Sequence, residues 1–152
     1  MNCVLDQNDF SALAELLATT DAVSVRSKEK ISELLNQSSS SNTWFGYKIA
    51  NKLCAAAHVT SDEFASGTWI VNFVVVRPDQ QNRGIGKALL KYIEFKLRTG
   101  NHRRLLVHSY GKKEYSKYRH LCLRLGYICE GIVNDYYENG NDKITYSRVI
   151  AR

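Results

Sequence analysis

The sequence has a single proline, Pro78, and its four cysteines, Cys3, Cys54, Cys122 and Cys129, are scattered with no C-x-x-C pair. It has no apolar run near the eighteen residues that a membrane-spanning helix needs. Its opening segment, "MNCVLDQNDFSALAELL", lacks the basic start followed by an apolar stretch that marks a secretion signal. These absences lead us to expect a cytoplasmic protein with free thiols in a reducing compartment, and no membrane partner. A metal site is not expected either. His120 and Cys122 are the nearest thing to a ligand pair, and two ligands at that spacing do not make a zinc site. Internal repeats and a second domain are also missing, so the expectation is one domain over residues 1–152.

What is present is an ordinary globular composition, 44% apolar and 24% charged, with an uneven charge. The formal net charge is +6, yet residues 77–124 alone hold thirteen Lys/Arg against three acids. A basic block of that kind suits a polyanionic ligand, either a nucleotide-type cofactor or nucleic acid, or is simply a solvated surface. Residues 129–142 are the mirror case, with Glu130, Asp135, Glu138 and Asp142 and no Lys or Arg. If they line a pocket, they favour a cationic substrate.

Periodicity predicts helices over 8–18 and 25–36, the second with Ile31, Leu34 and Leu35 on its apolar side and Ser27 and Lys30 on its polar side. "SSSSN", 38–42, reads as a mobile loop. "WFGYKIA" and "LCAAAHVT" read as strands joined by a hairpin at Asn51-Lys52. "TWIVNFVVV", 68–76, is apolar almost throughout, as for a strand covered on both faces, and it ends at Pro78. From Gly84 the period changes: Ile85, Ala88, Leu89, Tyr92, Ile93 and Leu97 form one helical stripe, with Gly100 placed to end it. "RLLVHSY" is the next strand and "YSKYRHLCLRL" the next helix, ending at Gly126. "YICEGIV" and "KITYSRVI" flank "NDYYENGND", whose Asn139-Gly140 signals a hairpin. The order predicts an α/β layer structure around one mixed sheet.

A strand, a glycine-rich turn and a helix N-terminus form a phosphate cradle, because the first amides of a helix lack intrahelical partners and the helix dipole adds positive charge. In "QQNRGIGKALL", Gly84 and Gly86 allow close approach, and Arg83 and Lys87 add full charges. The turn matches neither the P-loop nor the dinucleotide fingerprint.

It resembles the Q/R-x-x-G-x-G/A pyrophosphate loop of the GNAT superfamily of N-acetyltransferases, here Gln81-Asn82-Arg83-Gly84-Ile85-Gly86. "VVVRPDQQ" is similar to the strand that leads into that loop. "YSKYRHLCLRLGY" is similar to the fourth helix, closed by Gly126-Tyr127, and "NDYYENGNDKITY" to the ending of many small bacterial members. The resemblance implies a three-layer fold, a mixed sheet of six or seven strands with about four helices. It also implies transfer of an acetyl group from acetyl-CoA to a primary amine. Val74, Val75 and Val76 would then meet the pantetheine arm through their backbone, residues 81–87 would hold the pyrophosphate, and Arg119 would reach a phosphate or remain a surface cation.

Many members place a tyrosine four residues before the Gly-aromatic pair to protonate the leaving thiolate. Here that position is Cys122. Three readings stay open: Cys122 donates its own proton; Tyr118, one turn earlier, or Tyr115 does so; or Cys122 is a core residue and water serves. The central strand carries no acid, and Asn72 is its one strongly polar interior residue, assigned here to the substrate site. The base is therefore Asp135, Glu63 or a water chain, with turn capping as the other reading of Asp135. Tyr136 and Tyr137, beside the four acids, form the acceptor pocket or are ordinary strand residues. The acceptor is a small-molecule or peptide amine. The alternatives are an RNA-directed acetyltransferase, suggested by the basic block, and a silent acyl-CoA sensor. The chain is expected to be a monomer or a homodimer.

Overall fold

The computed structural model describes residues 1–20, 25–36 and 42–151, with only the backbone at 25–28. Residues 38–41 of the serine run and the Ser27 side chain lie outside the described residues. The elements are β1 (Asn2–Val4), α1 (Phe10–Ala18), α2 (Val25–Leu35), β2 (Asn42–Ile49), β3 (Lys52–Ser61), β4 (Thr68–Val76), α3 (Ile85–Thr99), β5 (Arg104–Tyr110), α4 (Ser116–Arg124), β6 (Ile128–Glu138) and β7 (Asn141–Val149). The seven strands form one mixed sheet in the order β1-β2-β3-β4-β5-β7-β6. The α/β class, the strand number and the four helices agree with expectation.

The residues group into two compact units, 1–59 with 74–93, and 60–73 with 94–152. In the first, a capping box opens the chain's first helical turn: the Asp6 carboxylate accepts from the Asn8 amide at 2.8 Å, and Asp9 accepts from the Asp6 amide at 3.0 Å. α1 then buries Leu13, Leu16 and Leu17, and the first part of α3 buries Leu89, Leu90 and Ile93. Each such side chain contributes roughly 1.5–3 kcal/mol of burial.

In the second unit β4 and β5 are parallel, in register from Thr68↔Arg104 to Val71↔Val107, and β7 runs antiparallel to both β5 and β6. The last part of α3 carries Glu94, which is buried. Its Oε1 accepts from the Tyr127 hydroxyl at 2.8 Å, and Oε1 and Oε2 both accept from Arg148 Nη1, at 3.2 and 3.0 Å. This explains the Gly-aromatic pair after α4. Gly126 takes φ +88°, its amide bonds Leu123 O and the Tyr127 amide bonds Cys122 O, the double closure of a Schellman motif. The chain reversal delivers the Tyr127 ring into the core with its hydroxyl on Glu94.

Several local expectations are corrected. β1 was not foreseen; it is only three residues long and pairs antiparallel with β2. The first hairpin turns at Ala50 and Asn51, with φ 48° and 62°, so Lys52 already belongs to β3. α3 is closed by Asn101, φ 62°, rather than Gly100: His102 N–H reaches Leu97 O and Asn101 N–H reaches Arg98 O. β4 is not covered evenly, since Trp69, Val71 and Val75 are buried but Ile70, Asn72, Val74 and Val76 only partly. Residues 134–138 belong to strand β6 instead of a loop, which runs on through a register shift near Asp135, φ 51°. At the tip only Gly140 has a positive φ, +79°.

Candidate active site

The glycine turn lies in the first unit. β4 ends at Val76, a 3-10 turn over Pro78–Gln80 follows, and α3 starts at Ile85. The turn is fastened to the strand it leaves, because Gln81 Nε2 donates to Val76 O at 3.2 Å. The Arg83 guanidinium leans on Gln80 Oε1 at 2.7 Å, and Arg77 pairs with Asp79 at 2.6 Å. Asn82 and Gly84 both have positive φ, 61° and 78°. Gly84 is thus required by backbone conformation. A Cβ built on it would meet nothing within 4 Å, so the space over it is open.

Residues 81–84 and Lys87 are exposed, whereas Ile85 is buried and anchors the first helical turn. The helical bond from Ala88 N–H to Gly84 O is 3.0 Å. The amides of Ile85, Gly86 and Lys87 precede it and have no acceptor one turn back inside the helix. Amides without intrahelical acceptors, the cations of Arg83 and Lys87 and the open space over Gly84 fit a diphosphate. Val74 and Val76 are half-buried and Val75 is buried, and the Val76 carbonyl is already engaged by Gln81.

The candidate proton donors lie in the second unit. Cys122 is fully buried on α4, and burial pushes its thiol up to about 12. Tyr118, one turn earlier, has a half-buried ring but a hydroxyl sealed from solvent with no hydrogen-bond partner among the described residues. Burial first, then the neighbouring Cys122 and Tyr137, hold that hydroxyl well above the ordinary tyrosine value. Tyr118 therefore stays protonated. An orphaned buried hydroxyl is costly, and such atoms point to a missing partner. Arg119 spends Nη1 on the carbonyls of Tyr110 and Lys112, both at 2.8 Å, clasping the β5–α4 connection.

Asp135 Oδ1 accepts from the Gly140 amide at 2.7 Å, and its own amide donates to Asp142 Oδ1 at 2.9 Å. Its carboxylate is placed as a turn cap. Glu63 is exposed on the β3–β4 connection. Asn72 donates from Nδ2 to Thr60 Oγ1 at 3.0 Å.

Tyr136 and Tyr137 do meet, edge to face at 5.0 Å, and Tyr137 packs on Tyr110 at 4.3 Å, which packs on Tyr115 at 4.9 Å. The place over Tyr136 that a substrate ammonium was expected to fill holds the chain's own Lys143, its Nζ 3.9 Å from the ring centre. The hairpin acids are engaged elsewhere: Glu138 with Lys112 at 2.7 Å, Glu130 with Ser147, and Asp135 and Asp142 in the turn. Sequence reasoning gave no role to Lys143 or to His108. The strand alternation of "RLLVHSY" was enough to set His108 apart from the buried Leu105, Val107 and Ser109. Its imidazole is held down to about 4 by burial and then by Lys143, so it is neutral at physiological pH.

Among the described residues no group of three His, Cys, Asp or Glu converges as a metal site, and no helix is long and apolar enough to cross a membrane. His120 is exposed while Cys122 is buried, so the two do not converge.

Comparison with known proteins places this geometry. The chain superposes on a GNAT-family acetyltransferase from Desulfovibrio desulfuricans with TM-score 0.89, at 20% identity over 99% of each chain. It superposes on the ribosomal-protein-S18-alanine N-acetyltransferase from Escherichia coli with TM-score 0.82, at 21% identity over 100% of this chain and 96% of that one. The aminoglycoside 6'-N-acetyltransferase from Enterococcus faecium gives TM-score 0.80, at 14% identity over 100% and 98%. At these identities the likeness is one of fold. No curated protein matches the sequence. The family model described as the acetyltransferase (GNAT) family matches residues 10–127. The chain belongs to the GNAT family of acetyltransferases.

Proposed function

We propose that this acetyltransferase moves the acetyl group of acetyl-CoA onto a primary amine of a small molecule or peptide by direct attack, with Tyr118 as the proton donor. The observation that carries the reading is the Tyr118 hydroxyl, buried beside Cys122 without a partner among the described residues. Acetyl-CoA supplies a thioester whose acyl carbon an amine can attack. The amides of residues 84–87, with Arg83 and Lys87, hold its diphosphate, and the backbone of Val74–Val76 lies along its pantetheine arm.

Amines of the lysine type are almost wholly protonated at neutral pH, so the attacking nitrogen must first lose a proton. As the C–N bond forms and the C–S bond breaks, negative charge gathers on sulfur. Tyr118 gives its proton to that sulfur and recovers one as the new amide nitrogen loses its own. The phenol is protonated at neutral pH and so has a proton to give. Cys122 serves as packing: it is fully buried on α4, and a thiol is a weaker hydrogen-bond donor than a phenol. Asp135 caps the hairpin, which leaves water to take the ammonium proton.

The test is release of free thiol from acetyl-CoA across polyamines, amino acids, aminoglycosides and peptide N-termini. Turnover with at least one class is expected. Calorimetric binding of acetyl-CoA without turnover on any of them would refute the transferase reading in favour of a sensor.

A further inference from the structure

The charges around the tyrosine cluster say which amine. We propose that the acceptor carries a carboxylate as well as its amine, so that it is an amino acid in chemical class, and that Lys143 binds that carboxylate. This rests on the transferase reading above.

The cluster joins Tyr110 on β5, Tyr115 ahead of α4, and Tyr136 and Tyr137 on β6 through ring contacts of 4.3–5.0 Å. Lys143 enters it from β7 as the cross-strand partner of Tyr110, so the two side chains rise from the same face of the sheet. Its ammonium rests on the Tyr136 ring and, among the described residues, has no carboxylate within 4.0 Å. The hairpin acids make their contacts elsewhere: Glu138 with Lys112, Glu130 with Ser147, and Asp135 and Asp142 with the Gly140 and Asp135 amides, which leave their charge in place.

His108, on the same face two residues before Tyr110, adds no charge, being neutral above about 4. Burial also keeps the Tyr110 and Tyr137 phenols protonated and uncharged. A half-buried ammonium against aromatic rings, with no carboxylate of the described residues touching it, offers a place for an anion, and a carboxylate there would gain a charge-assisted hydrogen bond. The rings beside it offer apolar surface to the rest of an amino acid, and their hydroxyls offer neutral donors.

The experiment compares the common amino acids with the amines made by removing their carboxylate, for example L-phenylalanine with phenethylamine and L-leucine with 3-methylbutylamine. It reads kcat/KM for thiol release per free-base amine. The expected result is a preference of about tenfold or more for at least one amino acid over its decarboxylated partner. That ratio should fall toward one in Lys143→Gln and persist in Lys143→Arg. Because both substrates are measured on the same preparation, partial misfolding of a variant cancels in the ratio. A ratio near one in the parent protein, or one that survives Lys143→Gln, overturns the proposal. Turnover confined to amines without a carboxylate also overturns it while leaving the transferase reading intact; no thiol release with any amine sinks both.

Discussion

Replacing Tyr118 with phenylalanine should make the protein more stable and much less active. The hydroxyl is sealed from solvent without a partner among the described residues, so the folded state carries an unmet desolvation cost. For a hydroxyl this is about 1–3 kcal/mol. Phenylalanine keeps the ring and removes the atom that bears the cost. At about 2–4 °C per kcal/mol for a chain of this size, Tm should rise by about 2–12 °C. Over the same change kcat should fall by about 10²–10⁴, the usual contribution of a placed general acid. Scanning calorimetry with the apoprotein gives the first number, and thiol release at saturating acetyl-CoA gives the second. Cys122→Ala is the contrasting variant. Its side chain is fully buried, so it should lose stability with kcat lowered no more than a few-fold. A Tyr118→Phe protein that is less stable than the parent and retains kcat within a factor of two would refute the reasoning on both counts.

Glu94→Gln should be the most damaging single-atom change in the second unit. It weakens the bonds from Tyr127 and Arg148 and leaves the partly exposed Arg148 guanidinium without its counter-charge, for a loss of about 1–3 kcal/mol read by urea denaturation. His58 should make stability depend on pH. It is 5% exposed, stacked on Trp44 at 4.5 Å, and burial lowers its imidazole from 6.5 to about 4. Because the folded value is depressed, the unfolded chain binds the extra proton between those limits, and stability present above pH 6.5 is lost as pH falls toward 4. About 2 kcal/mol should be gone by pH 5, and His58→Gln should flatten that slope when unfolding is followed across pH 7.5–5. Asp135→Asn should keep its positive φ, which asparagine tolerates, and still offer an oxygen to the Gly140 amide. The acid limb of its rate profile should therefore match that of the parent; loss of that limb would restore Asp135 as the base.

Much of the architecture was legible because periodicity reports which face is buried. The stripe from Ile85 to Leu97 and the strand 68–76 match α3 and β4, and the turn between them is where the helix amides lie open. What failed were features decided by partners far along the chain. β1 is three residues whose only pattern is its pairing with Tyr47, Gly46 and Phe45 of β2. Asn101 took the left-handed position expected of Gly100, because asparagine tolerates positive φ nearly as glycine does, and Ala50 rather than Lys52 joined Asn51 in the first hairpin turn. In the site, the spacing from Gly126 leads to Cys122, but that the Tyr118 hydroxyl is sealed from solvent depends on tertiary packing, with Tyr137 among its neighbours. The acidic hairpin misled for a related reason: sequence counts carboxylates but not whether Lys112, Ser147 and backbone amides already hold them.

The most direct test of phosphate binding by the head of α3 is calorimetric titration with pantetheine and 4′-phosphopantetheine, which differ only in the phosphate. The expected result is that the phosphorylated compound binds about tenfold tighter or more, that added salt narrows the gap, and that Gly84→Val removes it. Equal affinity for the two compounds would contradict it.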